Sequence, residues 1–94
     1  MAGYFVANYR ITNQAQYQEY LAAVGPSLTA HGAERVIVDR DSDLLEGSAG
    51  EVTVVLRFPS KAAAKAWYDS PEYQAIRHLR TDSSQGIGVI AEGN

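Results

Sequence analysis

The side chains of this chain that are best suited to bind a small molecule are two arginines and two large aromatic residues. Arg77 and Arg80 are three residues apart, so on a helix they would share one face. A guanidinium group grips a carboxylate through two parallel hydrogen bonds. With Trp67 and Tyr73 as walls, the two arginines predict an aromatic-lined anion site. The alternative is that the aromatic residues pack in the core and the arginines pair with surface acids.

Histidine is the side chain best suited to proton transfer near neutral pH, and the chain has two, His31 and His78. His31 is the candidate catalytic acid–base residue. Its alternative role is structural, because it precedes Gly32 at a predicted helix end, where a cation favours the helix dipole. Two distant histidines make a poor zinc site, which usually needs three protein ligands. We therefore predict neither a metal nor a cofactor.

An acidic segment resembles the start of a calcium-binding loop without completing it. Asp39, Asp41 and Asp43 alternate as calcium ligands do. The position that needs glycine for the sharp turn is Leu44, and the twelfth position, which needs a bidentate glutamate, is Gly50. The segment is therefore interpreted as a solvated acidic turn.

Composition limits the classes of protein that this chain can belong to. Its 94 residues, 46% of them hydrophobic, predict one globular domain over residues 1–94. The formal charge of −3 argues against nucleic-acid binding, which needs a basic surface. The chain has no cysteine, no apolar run long enough to cross a membrane and no signal-peptide pattern at its start. We expect a soluble cytoplasmic protein with no membrane contact.

Apolar periodicity and capping signals predict the order βαββαβ. Asn13, Ser60 and Ser70 are placed to cap helices, and Pro71 suits the first position of one. The pair Gly25-Pro26 predicts a kink or a restart in the first helix. The predicted strands are 3–11, 33–40, 51–58 and 86–91; the helices run from 13 to 31, from 61 to 68, and over a short stretch from 70.

This order predicts an α+β, ferredoxin-like fold, a four-stranded antiparallel sheet with its helices on one face. The other face is left mixed but apolar, and large exposed apolar patches are uncommon on monomers. A second copy is the simplest cover, so we predict a homodimer. Arg57 on that face needs an acidic partner, for which Asp39 and Glu46 are candidates. The residues predicted on the open face are Tyr4, Val6, Asn8, Thr53, Val55, Arg57 and Ile90.

The chain resembles the DUF1330 family, a group of small bacterial proteins of uncharacterised function. The resemblance rests on a long phrase and several shorter ones: Phe58-Pro59-Ser60, Ala66-Trp67-Tyr68, Ser70-Pro71-Glu72-Tyr73-Gln74, Arg80 and Leu45-Glu46-Gly47. It implies a dimeric α/β barrel in which two ferredoxin-like sheets face each other, with a pocket between sheet and helices in each subunit. Relatives of that kind include cofactor-free monooxygenases, muconolactone-type isomerases and haem-degrading enzymes. Fold alone transfers none of these activities.

The chain departs from the family pattern at two places. The phrase Gly-Gly-Arg is usual before the second strand, and here it is Gly32-Ala33-Glu34-Arg35, one residue longer. An acid is common where this chain has Arg57, which puts in doubt any site built on that acid.

Two functions remain open from the sequence. The first is a small-molecule-binding domain, or a cofactor-independent enzyme, acting on a small organic acid or aromatic compound. Trp67 and Tyr73 would enclose that ligand, Arg77 or Arg80 would hold its negative group, and His31 would transfer protons. The second is a non-catalytic homodimeric module that binds a protein partner through its helices. Metal or haem binding ranks last.

Overall fold

The computed structural model describes residues 1–94 and confirms the ferredoxin-like α+β fold. Its strands form one antiparallel sheet in the order β2-β3-β1-β4. The helices cover one face of that sheet. The elements in chain order are β1 (Gly3–Ile11), α1 (Gln14–Ala30), β2 (Glu34–Asp39), β3 (Val52–Phe58), α2 (Lys61–Asp69), α3 (Pro71–Gln74), α4 (Arg77–Thr81) and β4 (Ser84–Glu92).

Side-chain caps fix where three helices begin, as the sequence predicts. The Asn13 side chain accepts a hydrogen bond from the Gln16 amide at 3.1 Å. Ser60 and Ser70 do the same for α2 and α3, at 3.0 and 3.2 Å from the amides that they cap. Each cap satisfies one of the free amides of a first helical turn.

Helix α1 runs unbroken through Pro26, so the predicted restart does not occur. A proline disfavours helix at the preceding residue chiefly through a clash with that residue's Cβ, and Gly25 has none. The costs that remain are one lost backbone hydrogen bond and the contact of the proline ring with the carbonyl four residues earlier. Helix α1 ends before His31, where Gly32 turns the chain with φ of +70°, as expected. No helix is both long and apolar enough to cross a membrane.

The core lies between the helices and one face of the sheet, where strand residues alternate as the sequence predicts. In β1 the residues Phe5, Ala7 and Tyr9 are buried and point towards the helices. In β3 the buried positions are Val52, Leu56 and Phe58. Trp67 and Tyr73 complete this core from the helical layer, both fully buried.

One open-face assignment is wrong, because Ile90 faces the helices. It lies opposite Phe5 in the register of β1 and β4, and it packs against the core. Residues opposite each other on antiparallel strands share a face, so Val89 and Ile87 take the open face instead. Both are about half exposed.

The open face of the sheet carries an apolar centre with polar residues around it. Val6 of β1 lies between Val55 of β3 and Val89 of β4 in the cross-strand register. Arg57 lies on the same face, where its guanidinium is 3.7 Å from the carboxylate of Glu34. Glu34 is its neighbour on β2, so within one chain neither Asp39 nor Glu46 supplies the expected partner.

Gly3→Ala should destabilise the domain, because an added Cβ would overlap the backbone of Ser60 and Lys61 where α2 begins. We expect a loss of about 1–3 kcal/mol in the free energy of unfolding, measured by urea denaturation. Gly88→Ala is the matched control within the same sheet, because its added Cβ would meet only ring atoms of Phe5, at 3.3 Å, and no backbone atom. That variant should therefore lose less stability than Gly3→Ala. An unchanged midpoint for Gly3→Ala would contradict the close approach of α2 to β1.

Candidate functional site

A cavity of about 80 Å³ lies between the helix-facing side of the sheet and helix α1. Most of its wall is aliphatic or aromatic carbon, contributed by β1, α1, β2, β3 and α4. No aspartate or glutamate lines it. The polar groups of the wall are five side chains: Tyr9, Tyr17, Tyr20, Arg35 and Arg80.

Arg80 enters this cavity from α4 and is almost fully buried, with 8% of its surface exposed. Its Nε donates a hydrogen bond to the Tyr73 hydroxyl at 3.2 Å. Its guanidinium carbon lies 5.7 Å from the ring centre of Phe5 and 5.8 Å from that of Tyr9. None of the ion pairs of the structure involves Arg80, so no carboxylate neutralises it.

The two terminal nitrogens of Arg80 have no hydrogen-bond partner in the protein, because its one hydrogen bond uses Nε. The structure nevertheless contains no fully buried side-chain nitrogen without a partner. These nitrogens therefore keep some accessible surface, which the cavity provides. A guanidinium in this position is ready to donate to a bound anion.

Burial works to lower the pKa of Arg80, but the phenols around it, Tyr73 first, raise that pKa above the ordinary value of an arginine. Burial also raises the pKa of Tyr9 and of Tyr20 above 10.0, and hydrogen bonds to their neighbouring phenols add to this. At neutral pH the arginine is therefore charged and these phenols are not. The site is a cation among neutral groups.

The phenols of the site are joined in two hydrogen-bonded pairs. The hydroxyls of Tyr9 and Tyr17 are 2.7 Å apart, and those of Tyr20 and Tyr73 are 3.0 Å apart. Each pair has two hydroxyl protons but only one shared hydrogen bond, so one proton in each pair has no protein acceptor. Together with the free nitrogens of Arg80, these groups make the site rich in unused donors. Such a site suits an oxyanion.

Arg35 lines the same cavity from the edge strand β2 and is exposed to solvent. It lies opposite the buried Leu56, so its side chain is directed to the helix side of the sheet. A β-bulge follows between Arg35 and Ile37. No carboxylate pairs with Arg35 in the structure.

The structure places Trp67 in the core rather than in the wall of the cavity. The side chain is fully buried, and its indole Nε1 donates to the Ser27 hydroxyl at 3.1 Å. Phe5, Phe58 and Tyr73 pack around it with ring centres 4.1–5.5 Å away. This is the core-packing role that the sequence also allows for Trp67, as the alternative to enclosing a ligand. Tyr73 is also fully buried, but its hydroxyl holds Arg80.

His31 and Arg77 also lie outside the cavity wall. His31 caps the end of α1, where its Nε2 is 3.4 Å from a carboxylate oxygen of Glu72. Arg77 lies over the ring of Tyr68, 5.6 Å from its centre, and donates to the Tyr68 hydroxyl at 3.4 Å. The two arginines do not form the expected common site, because Arg80 is the buried residue of α4 whereas Arg77 lies on Tyr68.

Four of the five polar residues that line the cavity are not among the site residues that the sequence predicts. Tyr9 alternates with the buried Phe5 and Ala7, so the strand pattern could have placed it inward. Tyr17 lies on the apolar stripe of α1, and Tyr20 is three residues further along. Arg35 gave no usable signal, since a bulge changes which side chains face inward on β2.

A larger open groove between α2 and β4 is a weaker candidate. It holds about 660 Å³ and is lined mainly by apolar residues. Its charged groups are Lys61 and Lys65, and Lys65 already pairs with Asp69 at 3.1 Å. Ligand sites need convergent polar groups as well as volume, and of these two cavities the smaller has more of them.

The fold and this cavity define the chain as a ferredoxin-like α+β domain with a cationic, tyrosine-lined site between its two layers. The model of the family described as "Domain of unknown function (DUF1330)" matches residues 2–94, so the chain belongs to that family. No curated protein sequence matches it.

Solved structures with similar folds share little sequence with this chain. One is a protein of unknown function from Rhodopseudomonas palustris, with 14% identity, 99% of this chain and 82% of that chain covered, and a TM-score of 0.76. A dimeric ferredoxin-like protein of unknown function from Jannaschia sp. has 14% identity, 99% and 100% coverage and a TM-score of 0.75. SnoaB, a cofactor-independent oxygenase from Streptomyces nogalater, has 12% identity, 99% and 93% coverage and a TM-score of 0.63. At such identities the similarity shows the fold alone.

Alkaline pH should unfold the protein through Tyr9 and Tyr20. In the folded state the pKa of each lies above 10.0, whereas in the unfolded chain each tyrosine ionises near that value. Above pH 10 the unfolded state therefore loses protons that the folded state keeps. The free energy of unfolding should fall by up to about 1.4 kcal/mol per pH unit for each tyrosine.

Urea denaturation at several pH values, with tyrosinate absorbance recorded in parallel, measures this dependence. Tyr20→Phe should remove about half of the slope above pH 10, whatever it does to stability at neutral pH. A slope identical to that of the wild type would show that Tyr20 ionises equally in both states.

Proposed function

We propose that this chain binds a small organic acid in the tyrosine-lined cavity, with the acid group on Arg80. The observation that carries the proposal is a nearly buried guanidinium with no carboxylate partner in the protein. A buried charge is costly unless it is paired, by several kcal/mol after relaxation. A ligand anion would supply the missing partner, and it would accept hydrogen bonds from the phenol hydroxyls that have no acceptor in the protein.

The unpaired arginines favour ligand binding over the alternative of a non-catalytic protein-interaction module. Such a module would be expected to have a filled interior and arginines paired with acids. Arg57 meets that expectation through Glu34, but Arg35 and Arg80 do not. The proposal assigns no proton-transfer step to His31, whose ring lies outside the cavity wall.

We also propose that the chain forms a homodimer through the open face of its sheet, as in a dimeric α/β barrel. The support is the apolar centre formed by Val6, Val55 and Val89 on a face without helices. A two-fold axis through such a face buries the same patch on both copies. The structurally similar Jannaschia protein is itself described as dimeric.

Arg80→Met should separate binding from stability. Removing an unpaired buried cation while keeping an apolar side chain of similar length should leave stability unchanged or raise it by about 1–3 kcal/mol. The affinity for acetate or propionate, measured by calorimetry or NMR titration, should fall by about tenfold or more, because a charged hydrogen bond is lost.

Arg77→Met makes the same change on the same helix and should alter these affinities less than about twofold, since that side chain lies on Tyr68. Acetamide and propionamide, which lack the charge, should bind the wild type more weakly than their acids. If Arg80→Met unfolds the protein, or leaves carboxylate affinity unchanged, Arg80 is a structural residue and the proposal fails.

Val6→Lys should convert the dimer to a monomer, because it places a charge at the centre of the open face. Sedimentation at micromolar concentration measures the change, and circular dichroism checks that the fold is kept. Ala66→Lys is the matched control, since Ala66 is exposed on α2, in the helical layer that covers the other face of the sheet. A wild type that sediments as a monomer would exclude the proposed assembly.

A further inference from the structure

We infer that the ligand of this cavity carries two acidic groups, one held by Arg80 in the interior and the other by Arg35 at the entrance. The inference rests on the proposed function, because it extends the same site from one anion to two. The ligand class is then a short dicarboxylate, and Arg35 is the residue that determines the preference for two acid groups over one.

The fold directs Arg35 towards the cavity and keeps acids away from it. Arg35 lies opposite Leu56, a core residue, and therefore shares the helix-facing side of the sheet. Its sequence neighbour Glu34 lies opposite Arg57 on the other face and pairs with it at 3.7 Å. The nearest acid in sequence is thus already used on the far side of the sheet.

Helix α1 leaves room for the guanidinium of Arg35. A Cβ added at Gly25 would lie 3.9 Å from one terminal nitrogen of Arg35, so a glycine stands where a larger side chain would crowd that group. Val38, the next cavity-lining residue of β2, is 51% exposed. The β2 side of the cavity is therefore the side open to solvent, and Arg35 stands at this entrance.

The charge of the site favours a dianion. Arg35 and Arg80 put two positive charges on one cavity whose wall contains no acid, although the chain as a whole carries −3. A monoanion would neutralise one of these cations and leave the other unpaired. A dianion neutralises both, and guanidinium groups are well shaped to bind each carboxylate through two hydrogen bonds.

The rest of the wall indicates what joins the two acid groups. Apart from the tyrosines and arginines, the lining is apolar, made of Phe5 and six aliphatic residues: Leu21, Val24, Leu28, Val38, Val54 and Leu56. An apolar wall favours a hydrocarbon spacer over one with hydroxyl or amino groups. The small volume limits that spacer to a few carbons.

The experiment compares each diacid with its monoamide, which has nearly the same shape but one charge fewer. Calorimetric titration of the full chain with the diacids from malonate to adipate identifies the best-bound length. At that length the wild type should prefer the diacid to its monoamide by about fivefold or more. Arg35→Gln should abolish this preference while changing the monoamide affinity less than about twofold, and Arg35→Lys should restore part of it.

Arg40→Gln removes the same charge just beyond β2, at an exposed residue outside the cavity, and should leave the preference intact. If the wild type binds diacid and monoamide equally, or if Arg35→Gln weakens both to the same extent, the second acid group is excluded while binding at Arg80 stands. If no diacid and no monoamide binds, the proposed function fails and this inference fails with it.

Discussion

The hydrogen bond from Arg80 to the Tyr73 hydroxyl is the interaction on which the site depends. It holds a cation inside a domain of 94 residues without any acid beside it. Tyr73 is fixed in turn by the core, because its ring packs on Trp67 with centres 4.1 Å apart. The most buried part of the fold thereby positions the group that we assign to ligand binding. A small domain has few buried residues that can position a binding group. Here the same aromatic cluster stabilises the core and positions Arg80.

Phenols are well suited to surround a cation of this kind. Their rings present a negative face to the guanidinium, and their hydroxyls add dipoles without a full charge. A carboxylate in the same position would neutralise Arg80 permanently and leave no reason for an anion to bind. Neutral partners stabilise the arginine enough for it to remain inside the fold, and they leave its terminal nitrogens free.

The sequence was sufficient for the fold because its local signals agree with one another. Alternation in β1 and β3, the caps at Asn13, Ser60 and Ser70, and the turn at Gly32 all predict the observed elements. Apart from the restart at Pro26, the wrong predictions of the fold lie where a second strand decides the outcome. The pattern of β4 alone places Ile90 on the wrong face, because only the register with β1 defines which way it points.

The site was predictable only in part, for the same physical reason. The sequence predicts Arg80 and Tyr73 as site residues, which lie only seven residues apart. The sequence does not distinguish Arg80 from Arg77, because two residues three apart on a helix can share a face. Only the packing of α4 shows that Arg80 is the one that is buried. The cavity also joins residues that are distant in sequence, such as Tyr9 and Arg35, and no local spacing reveals that proximity.

The exposed side of β2 determines where a ligand would enter the domain. Val38 and Arg35 lie on the helix side of an edge strand, whereas the surface proposed to join two copies lies on the opposite side of the same sheet. Entry and association thus use different surfaces. A ligand could therefore enter and leave each subunit of the proposed dimer without separating the two copies. The fraction of subunits that hold a ligand need not depend on the fraction that is dimeric.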